Sequence, residues 1–298
     1  MQQFAGQPDI LQCLAPHDEF TVPFIHMGLT LDIPFAYYAV ELASYDVNQA
    51  ISANRWSPIQ KLEAFRAMCR AVQRIHNHSI VHRDLKPSNF LVMADGTLRL
   101  SDFGTARDLS DPTGGLLANY QAPPGDVWYA APEIIAALHD VDPKFALRAD
   151  IYSLGAVLFE LFTGTPLNLH MFDPSTLETL GQMMNTVARA DRIRIYDGFV
   201  GNMADAHPLP SLHHFGDVVP SCILSLANLL CRGMAAVDYR RRLCDFEDIF
   251  SRINTCLWVL KHEAAYHRWR ELRARMRQAR EEKRRLASAK MAALRREL

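Results

Sequence analysis

The chain has 298 residues, 49% of them hydrophobic, and a formal net charge of −1. That composition supplies a sizeable core, excludes the disordered class, and bounds the chain at one large domain or two modest ones. The near-neutral total hides an asymmetry: residues 263–298 hold 12 Lys/Arg against 5 Asp/Glu, so the remainder sums to −8. The basic end is local, and the chain as a whole does not read as a nucleic-acid binder. Its six cysteines are scattered, with no C-x-x-C pair, and read as thiols of a reducing compartment. No signal peptide opens the sequence. The most apolar stretch, Val218 to Cys231, is 14 residues long, contains Pro220, and is too short to span a bilayer. A soluble, cytoplasmic protein is expected.

In chain order, residues 1–43 are strand-like. Two apolar runs, near 10–15 and 35–42, flank a turn-rich middle and are too few to make a stable sheet alone. A helix follows, with Ser57 as N-cap and Pro58 at its first position. Ile59, Leu62, Phe65, Met68 or Cys69, Val72 and Ile75 give it one apolar face. Phe90–Met93 and Thr97–Ser101 form a hairpin bridged by Ala94, Asp95 and Gly96. Residues 105–127 lack periodicity and read as a long functional loop. From Arg148 the chain is mostly helical. Asp150 to Phe162 is apolar all round, as a buried helix is, and further helices are expected near 175–190, 219–233 and 244–260. The tail from 263 reads as one long helix.

Four short elements carry chemistry, in this order: His82-Arg-Asp-Leu-Lys-Pro-Ser-Asn89, Asp102-Phe-Gly104, Ala131-Pro-Glu133 and Asp150-Ile-Tyr-Ser-Leu-Gly155. Asp84 falls between the helix and the hairpin, where a carboxylate can orient a hydroxyl and take its proton. Lys86 is a nearby point charge suited to a phosphoryl group. Asn89 begins the hairpin and Asp102 ends it, so an amide oxygen and a carboxylate converge, and hard oxygens of this kind suit Mg²⁺. A lone Asp is ordinarily a turn or cap residue; the ordered set is what makes Asp84 a candidate base.

The set resembles the signature of the eukaryotic-type serine/threonine protein kinase family, over about residues 8–260. The resemblance implies an α+β protein-kinase-like fold: a small-lobe sheet remnant and hinge at 1–43, a helical large lobe at 44–262, and a basic helical tail at 263–298. It implies ATP- and Mg²⁺-dependent phosphoryl transfer to Ser or Thr of protein substrates. Asp84, Lys86 and Asn89 would be catalytic, with Asn89 and Asp102 holding the metal. Val40 (at the gatekeeper position), Glu41, Leu42 and Ala43 would line the adenine, with Leu91 as its floor and Lys86 and Asp102 on the phosphate side. Arg83 would pair with a phosphate on the long loop, where Ser110, Thr113 and Tyr120 are candidate acceptors. His82 would be structural, Glu133 would pair with Arg242, and Asp150 would hold the catalytic-loop backbone. Lys86 and the Ala-Pro-Glu element together favour Ser/Thr of proteins over tyrosine or small-molecule acceptors.

Two features depart from the pattern. No G-x-G-x-x-G occurs, and the first Lys is Lys61, so the Gly-rich loop, the phosphate-binding strand Lys and the helix Glu are not found. Two readings stay open: a piece of a longer active kinase, or a complete chain that serves as a non-catalytic regulator or scaffold. The intact quartet of Asp84, Lys86, Asn89 and Asp102 favours the first. Weak or no transfer by the chain alone is expected, since the strand Lys acts on transition-state charge. The second departure is Asp126, where the family usually has Thr or Ser. A carboxylate there is repelled by Asp84 unless Lys86 bridges the two. In the tail, Ala265, Trp269, Leu272, Met276 and Ala279 form a stripe that fails at Lys283 and Lys290. It reads either as a contact for a helical or acidic partner, or as a solvated helix packed at its start by Trp269.

Overall fold

The computed structural model describes residues 4–15, 18–27, 29–111, 125–140, 142 and 144–297. It begins with a β-hairpin, β1 (Asp18–His26) and β2 (Leu29–Tyr37). This corrects the expectation for the N-terminal region, because the segment read as turn-rich is itself the strand pair. Of the expected runs 10–15 and 35–42, residues 35–37 belong to β2 and the remainder contributes the isolated bridges Ile10–Leu100 and Cys13–Val40. Pro23 and Pro34 obscured the period-two alternation. They face Asp32 and Thr21 across the ladder, in the phase where backbone N–H groups point away from the partner strand, so neither costs a hydrogen bond. Phe20 faces Phe35, Val22 faces Ile33 and Phe24 faces Leu31, all on one face of the hairpin, and every one of these residues is exposed.

The chain then forms β3 (Tyr45–Asp46), α1 (Val47–Ser52) and α2 (Pro58–Asn77). Helix α2 starts where the sequence places it. Ser57 Oγ accepts from the Gln60 N–H, and Gln60 Oε1 accepts from the Ser57 N–H at 2.9 Å, a reciprocal capping box. Its apolar stripe from Leu62 to Ile75 is fully buried. Next come β4 (Ile80–Val81), β5 (Phe90–Val92), β6 (Leu98–Leu100) and β7 (Arg107–Asp108). Strands β3, β5 and β6 make one small antiparallel sheet, and β4 pairs with β7. Thr113 and Tyr120 lie outside the described residues.

The C-terminal part is helical: α3 (Pro132–Ile135), α4 (Lys144–Thr163), α5 (Leu167–Met171), α6 (Pro174–Thr186), α7 (Arg192–Ala206), α8 (Leu224–Met234), α9 (Phe246–Lys261) and α10 (Glu263–Glu297). Together these elements make the α+β architecture that the motifs imply. Helix α7 was not foreseen, because only Tyr196 and Val200 on it are buried and its periodic signal is weak. Helix α4 is the centre of the core and packs against α2 and α8. It crosses α8 so closely that a Cβ on Gly155 would stand 2.8 Å from the Ala235 nitrogen. Among the described residues no helix is long and apolar enough to cross a membrane.

Beneath α4, Glu133 and Arg242 form a fully buried bidentate ion pair. Arg242 Nη1 meets Glu133 Oε1, and Arg242 Nη2 donates to Glu133 Oε2 at 3.2 Å. The guanidinium also donates to the carbonyls of Ala236 (2.8 Å) and Arg148 (2.8 Å), so its donors are used on backbone as well as on charge. Removing one member of such a pair leaves the other charge desolvated and alone. Arg242→Ala is therefore expected to lower unfolding stability by about 3–5 kcal/mol. Urea titration would report this as a lower midpoint at unchanged slope.

Candidate active site

Asp84 sits on the segment between β4 and β5, and that segment is fixed from beneath by α4. Asp150 accepts the backbone N–H of His82 on Oδ2 and that of Arg83 on Oδ1, each at 2.9 Å. The same Oδ2 meets His76 Nε2 at 2.9 Å. Burial pushes the Asp150 carboxyl upward, but the His76 hydrogen bond and charge, with His82 beyond, outweigh it and hold the group below its ordinary value. Arg83 takes a left-handed backbone, φ 69°, which turns the chain so that Asp84 emerges. Its Nε donates to the Thr105 carbonyl at 2.6 Å, and Thr105 Oγ1 donates back to the His82 carbonyl at 2.9 Å.

His82 is wholly buried. Its Nε2 meets the Ser101 carbonyl at 2.9 Å, and its Nδ1 accepts from the Asp84 N–H at 3.4 Å. A carbonyl only accepts, so these partners require the neutral tautomer with the proton on Nε2. Burial lowers the His82 pKa, and the nearby carboxylates of Asp150, Asp84 and Asp102 do not reverse this. His82 is thus a positioning residue, as expected.

Around Asp84 the geometry is tight. Its Oδ1 accepts the Asp126 backbone N–H at 2.9 Å, and its Oδ2 meets Lys86 Nζ at 2.9 Å. Asn89 Nδ2 donates to the Asp84 carbonyl at 2.7 Å and reaches its Oδ2 at 3.4 Å. The structure therefore brings Asp84, Lys86 and Asn89 together. Burial lowers the Lys86 pKa, but the Asp84 hydrogen bond and charge, then Asp126 and Asp102, outweigh it and hold the ammonium above its ordinary value. The feared clash at Asp126 is avoided because its carboxylate turns to its own loop and accepts the Trp128 N–H at 3.1 Å. The peptide N–H at 126, rather than its side chain, meets Asp84. Gly125 makes this approach possible. Its φ is +95°, and a Cβ there would lie 2.4 Å from the Arg83 carbonyl oxygen.

Asp102 is also left-handed, φ 57°, and its Oδ1 accepts the Gly104 N–H at 3.3 Å. Asn89 and Asp102 are joined through Ser101, whose N–H and Oγ both donate to the Asn89 carbonyl. With the amide nitrogen of Asn89 committed to Asp84, its oxygen remains for a cation. Two hard oxygens of this kind fit Mg²⁺, with phosphate and water oxygens completing its shell. On the other side, Glu41 accepts the Gln12 N–H at 2.9 Å and pairs with Arg99 at 2.6 Å, anchoring Val40–Ala43 to β6. Leu91 is half-buried between the buried Phe90 and Val92, so it faces the opposite side of β5.

A family model described as "Protein kinase domain" matches residues 34–246. The chain belongs to the eukaryotic serine/threonine protein kinase family. Among curated relatives, it is 32% identical over 211 residues to mitogen-activated protein kinase 13 of Oryza sativa subsp. indica, covering 65% of this chain and 38% of that protein. It is 31% identical over 209 residues to mitogen-activated protein kinase 16 of Arabidopsis thaliana, covering 65% and 34%. It is 32% identical over 166 residues to mitogen-activated protein kinase 15 of Caenorhabditis elegans, covering 53% and 33%. The chain thus spans little more than a third of the length of these kinases.

Sequence reasoning missed several residues that shape the site of this kinase chain. His76 gave no signal beyond its place in the last turn of α2. Asn168, fully buried, donates to the carbonyls of Val127 (2.8 Å) and Ala130 (3.0 Å) and accepts from the Tyr152 hydroxyl (2.6 Å), bracing the segment after Asp126. Glu160, 4% exposed, is hydrogen-bonded to the Tyr129 hydroxyl, and burial raises its pKa. Its place in an apolar helix was the available clue.

The state of His82 gives a pH signature. A folded pKa below the unfolded value of about 6.5 means the unfolded chain binds the proton first. Stability is full above about pH 6.5 and falls below it. His82→Asn is expected to flatten the melting profile between about pH 5 and 6.5, removing a slope of at most about 1.4 kcal/mol per pH unit. Thermal melts of the two proteins across that range check this.

Proposed function

We propose that this chain carries the base and the metal-binding half of an ATP- and Mg²⁺-dependent kinase for Ser and Thr of proteins. The observation that supports this most is the set of fixed contacts on Asp84: the peptide N–H of residue 126, Lys86 Nζ and Asn89 Nδ2. A carboxylate pinned at both oxygens can still present a lone pair to a substrate hydroxyl. It orients that hydroxyl and takes its proton as the oxygen attacks phosphorus. Lys86 lies against the base, where its charge meets oxygens of the transferred group. Asn89 and Asp102 would hold Mg²⁺, which neutralises phosphate charge when bound. Val40, Glu41 and Ala43 would line the adenine edge, with Leu91 beneath.

The proposal divides the chain into a small-lobe remnant and hinge (1–43), a large lobe (44–262) and a basic tail (263–298), in a cytoplasmic protein. The Gly-rich cover and the strand Lys do not occur among the 298 residues. A second reading is a kinase-like binding protein without transfer. A single experiment separates the two. ATP binding and phosphate transfer to a Ser/Thr peptide library are measured with and without Mg²⁺, for this chain and for a form carrying a Gly-rich loop and strand Lys. Mg²⁺-dependent binding that Asp102→Ala abolishes, with transfer in the extended form reduced at least about 1,000-fold by Asp84→Asn, is expected. Nucleotide binding that ignores Mg²⁺, and no transfer in the extended form, would establish the binding protein instead.

The position of Asp126 yields a separate expectation. Its peptide N–H contacts the base and its carboxylate is turned away, so Asp126→Thr in the extended form should change kcat by less than about threefold. A larger gain would show that the carboxylate repels substrate or phosphate.

A further inference from the structure

Helix α10 has two unlike sides. Its principal packing is onto α9. Tyr266 packs against the core and stacks on Trp269 at 6.0 Å, so the tail is anchored at its start by Tyr266 and not, as the sequence suggested, by Trp269. Trp269, Leu272, Met276 and Leu286 follow one another along one side, each between 48% and 60% exposed. Charge is segregated as well. Residues 263–298 hold 12 Lys/Arg against 5 Asp/Glu, while the rest of the chain sums to −8.

The decisive feature is where the charges stand around the helix. At about 100° per residue, Arg268 and Arg275 border one edge of the Ala265–Ala279 stripe, and Arg273 and Arg280 the other, all within about 80° of its centre. Glu263, Glu271, Glu281 and Glu282 all stand about 100° or more from that centre. Cations therefore line both edges of the apolar stripe, and the glutamates keep to the back. Two arginines also lie against aromatic rings. The Arg273 guanidinium is 4.6 Å from the Trp269 ring centre, and that of Arg270 is 5.9 Å from the Tyr266 ring centre. The interruption at Lys283 falls on the centre line of the stripe itself.

This distribution selects among the surfaces that could take such a helix. A second copy of α10 fits poorly, because arginines would face arginines along both edges and Lys283 would sit in the seam. An acidic protein groove fits poorly too. A groove holds a helix on more than one side, so its acidic walls would meet Glu271 and Glu281 with like charge. A flat anionic surface has neither fault. It touches one side only and leaves the glutamates in water. We infer that α10 lies on an anionic lipid bilayer, with the Trp269–Met276 stripe at the boundary of headgroups and acyl chains. Arg268, Arg273, Arg275 and Arg280 then stand at the level of the lipid phosphates. The Lys283 stem lies along apolar surface while its ammonium reaches the same phosphates. Trp269 suits that depth, since its ring is apolar and its N–H is a donor. The acidic remainder of the chain is repelled by such a surface only within about 8 Å, the screening length of physiological salt. The docking serves a kinase and a non-catalytic binding protein alike.

The test is co-sedimentation of the 298-residue chain with vesicles of phosphatidylcholine, alone or with about 30% phosphatidylserine. Binding to the anionic vesicles is expected to be at least about 10-fold tighter than to the neutral ones, and to weaken at least about 10-fold between about 0.1 and 0.5 M salt. Trp269→Ser/Leu272→Ser should weaken it at least about 10-fold. Two variants of equal net charge test the sidedness. Arg273→Gln/Arg280→Gln, at the edge of the stripe, should cost at least about 10-fold, and Arg270→Gln/Arg285→Gln, at least about 140° from its centre, less than about threefold. Circular dichroism confirms that each variant folds, and Leu272→Ser alone serves if the apolar double variant is unfolded. No binding to anionic vesicles at lipid concentrations up to about 1 mM would overturn the inference. Equal losses from the two arginine pairs, or binding that survives the apolar variant, would reduce it to diffuse attraction for any polyanion and overturn it as well. A chain that ignores vesicles but self-associates through Trp269 would establish a helix–helix seam instead. Binding to calmodulin, as the acidic-groove probe, with none to vesicles would assign the helix to an acidic protein.

Discussion

Asp150 is one buried carboxylate whose two oxygens hold two successive peptide N–H groups, and the rest of the site is built on that contact. Burying a charge is expensive unless it is fully hydrogen-bonded, and here the bonds come from the loop that carries the base. Helix α4 delivers the carboxylate because it is apolar all round and central, so its position is set by packing on every side. His76, at the end of α2, supplies a third contact, on the Oδ2 that also holds the His82 N–H, and ties a second core helix to the carboxylate. The left-handed turn at Arg83 is held between this anchor and the Thr105 contacts. Asp84 therefore inherits its position from the core, and not from the flexibility of a loop.

The architecture was legible where a residue's role follows from local chemistry. The capping box of α2, the Asp95–Gly96 turn and the apolar run of α4 each state their structure in a few letters. The pairing of Glu133 with Arg242 came from the family resemblance instead, and the structure forms it. The hairpin at 18–37 was read as a turn-rich middle, yet on a two-stranded ribbon Pro23 and Pro34 are tolerated because their missing N–H groups face outward. Helix α7 escaped because few of its residues are buried. The site divides in the same way. The motif set put Asp84, Lys86 and Asn89 forward, and the structure brings the three together. The side chains that brace them, His76 and Asn168, were not, since their partners are backbone groups or residues distant in sequence.

Asp126 shows how a substitution at a sensitive place is absorbed. A carboxylate one peptide away from the base would be unfavourable if it faced Asp84. It is instead used to close its own turn, and Lys86 feels both acids. What approaches Asp84 is a backbone N–H, a group every residue but proline has, brought in by the left-handed Gly125. The contact on the base is thus indifferent to the side chain at 126, while position 125 has almost no freedom.

The Glu41–Arg99 ion pair has a mechanical consequence. Arg99 lies on β6, which ends at Leu100, and the chain reaches Asp102 two residues later. Glu41 belongs to the segment proposed to touch the adenine, and Asp102 to the proposed metal pair. The ion pair therefore ties the segment proposed to touch the adenine to the strand that leads into the proposed metal pair. A pull on Val40–Ala43 is felt first at Arg99, so the two proposed ligand contacts share one charged link.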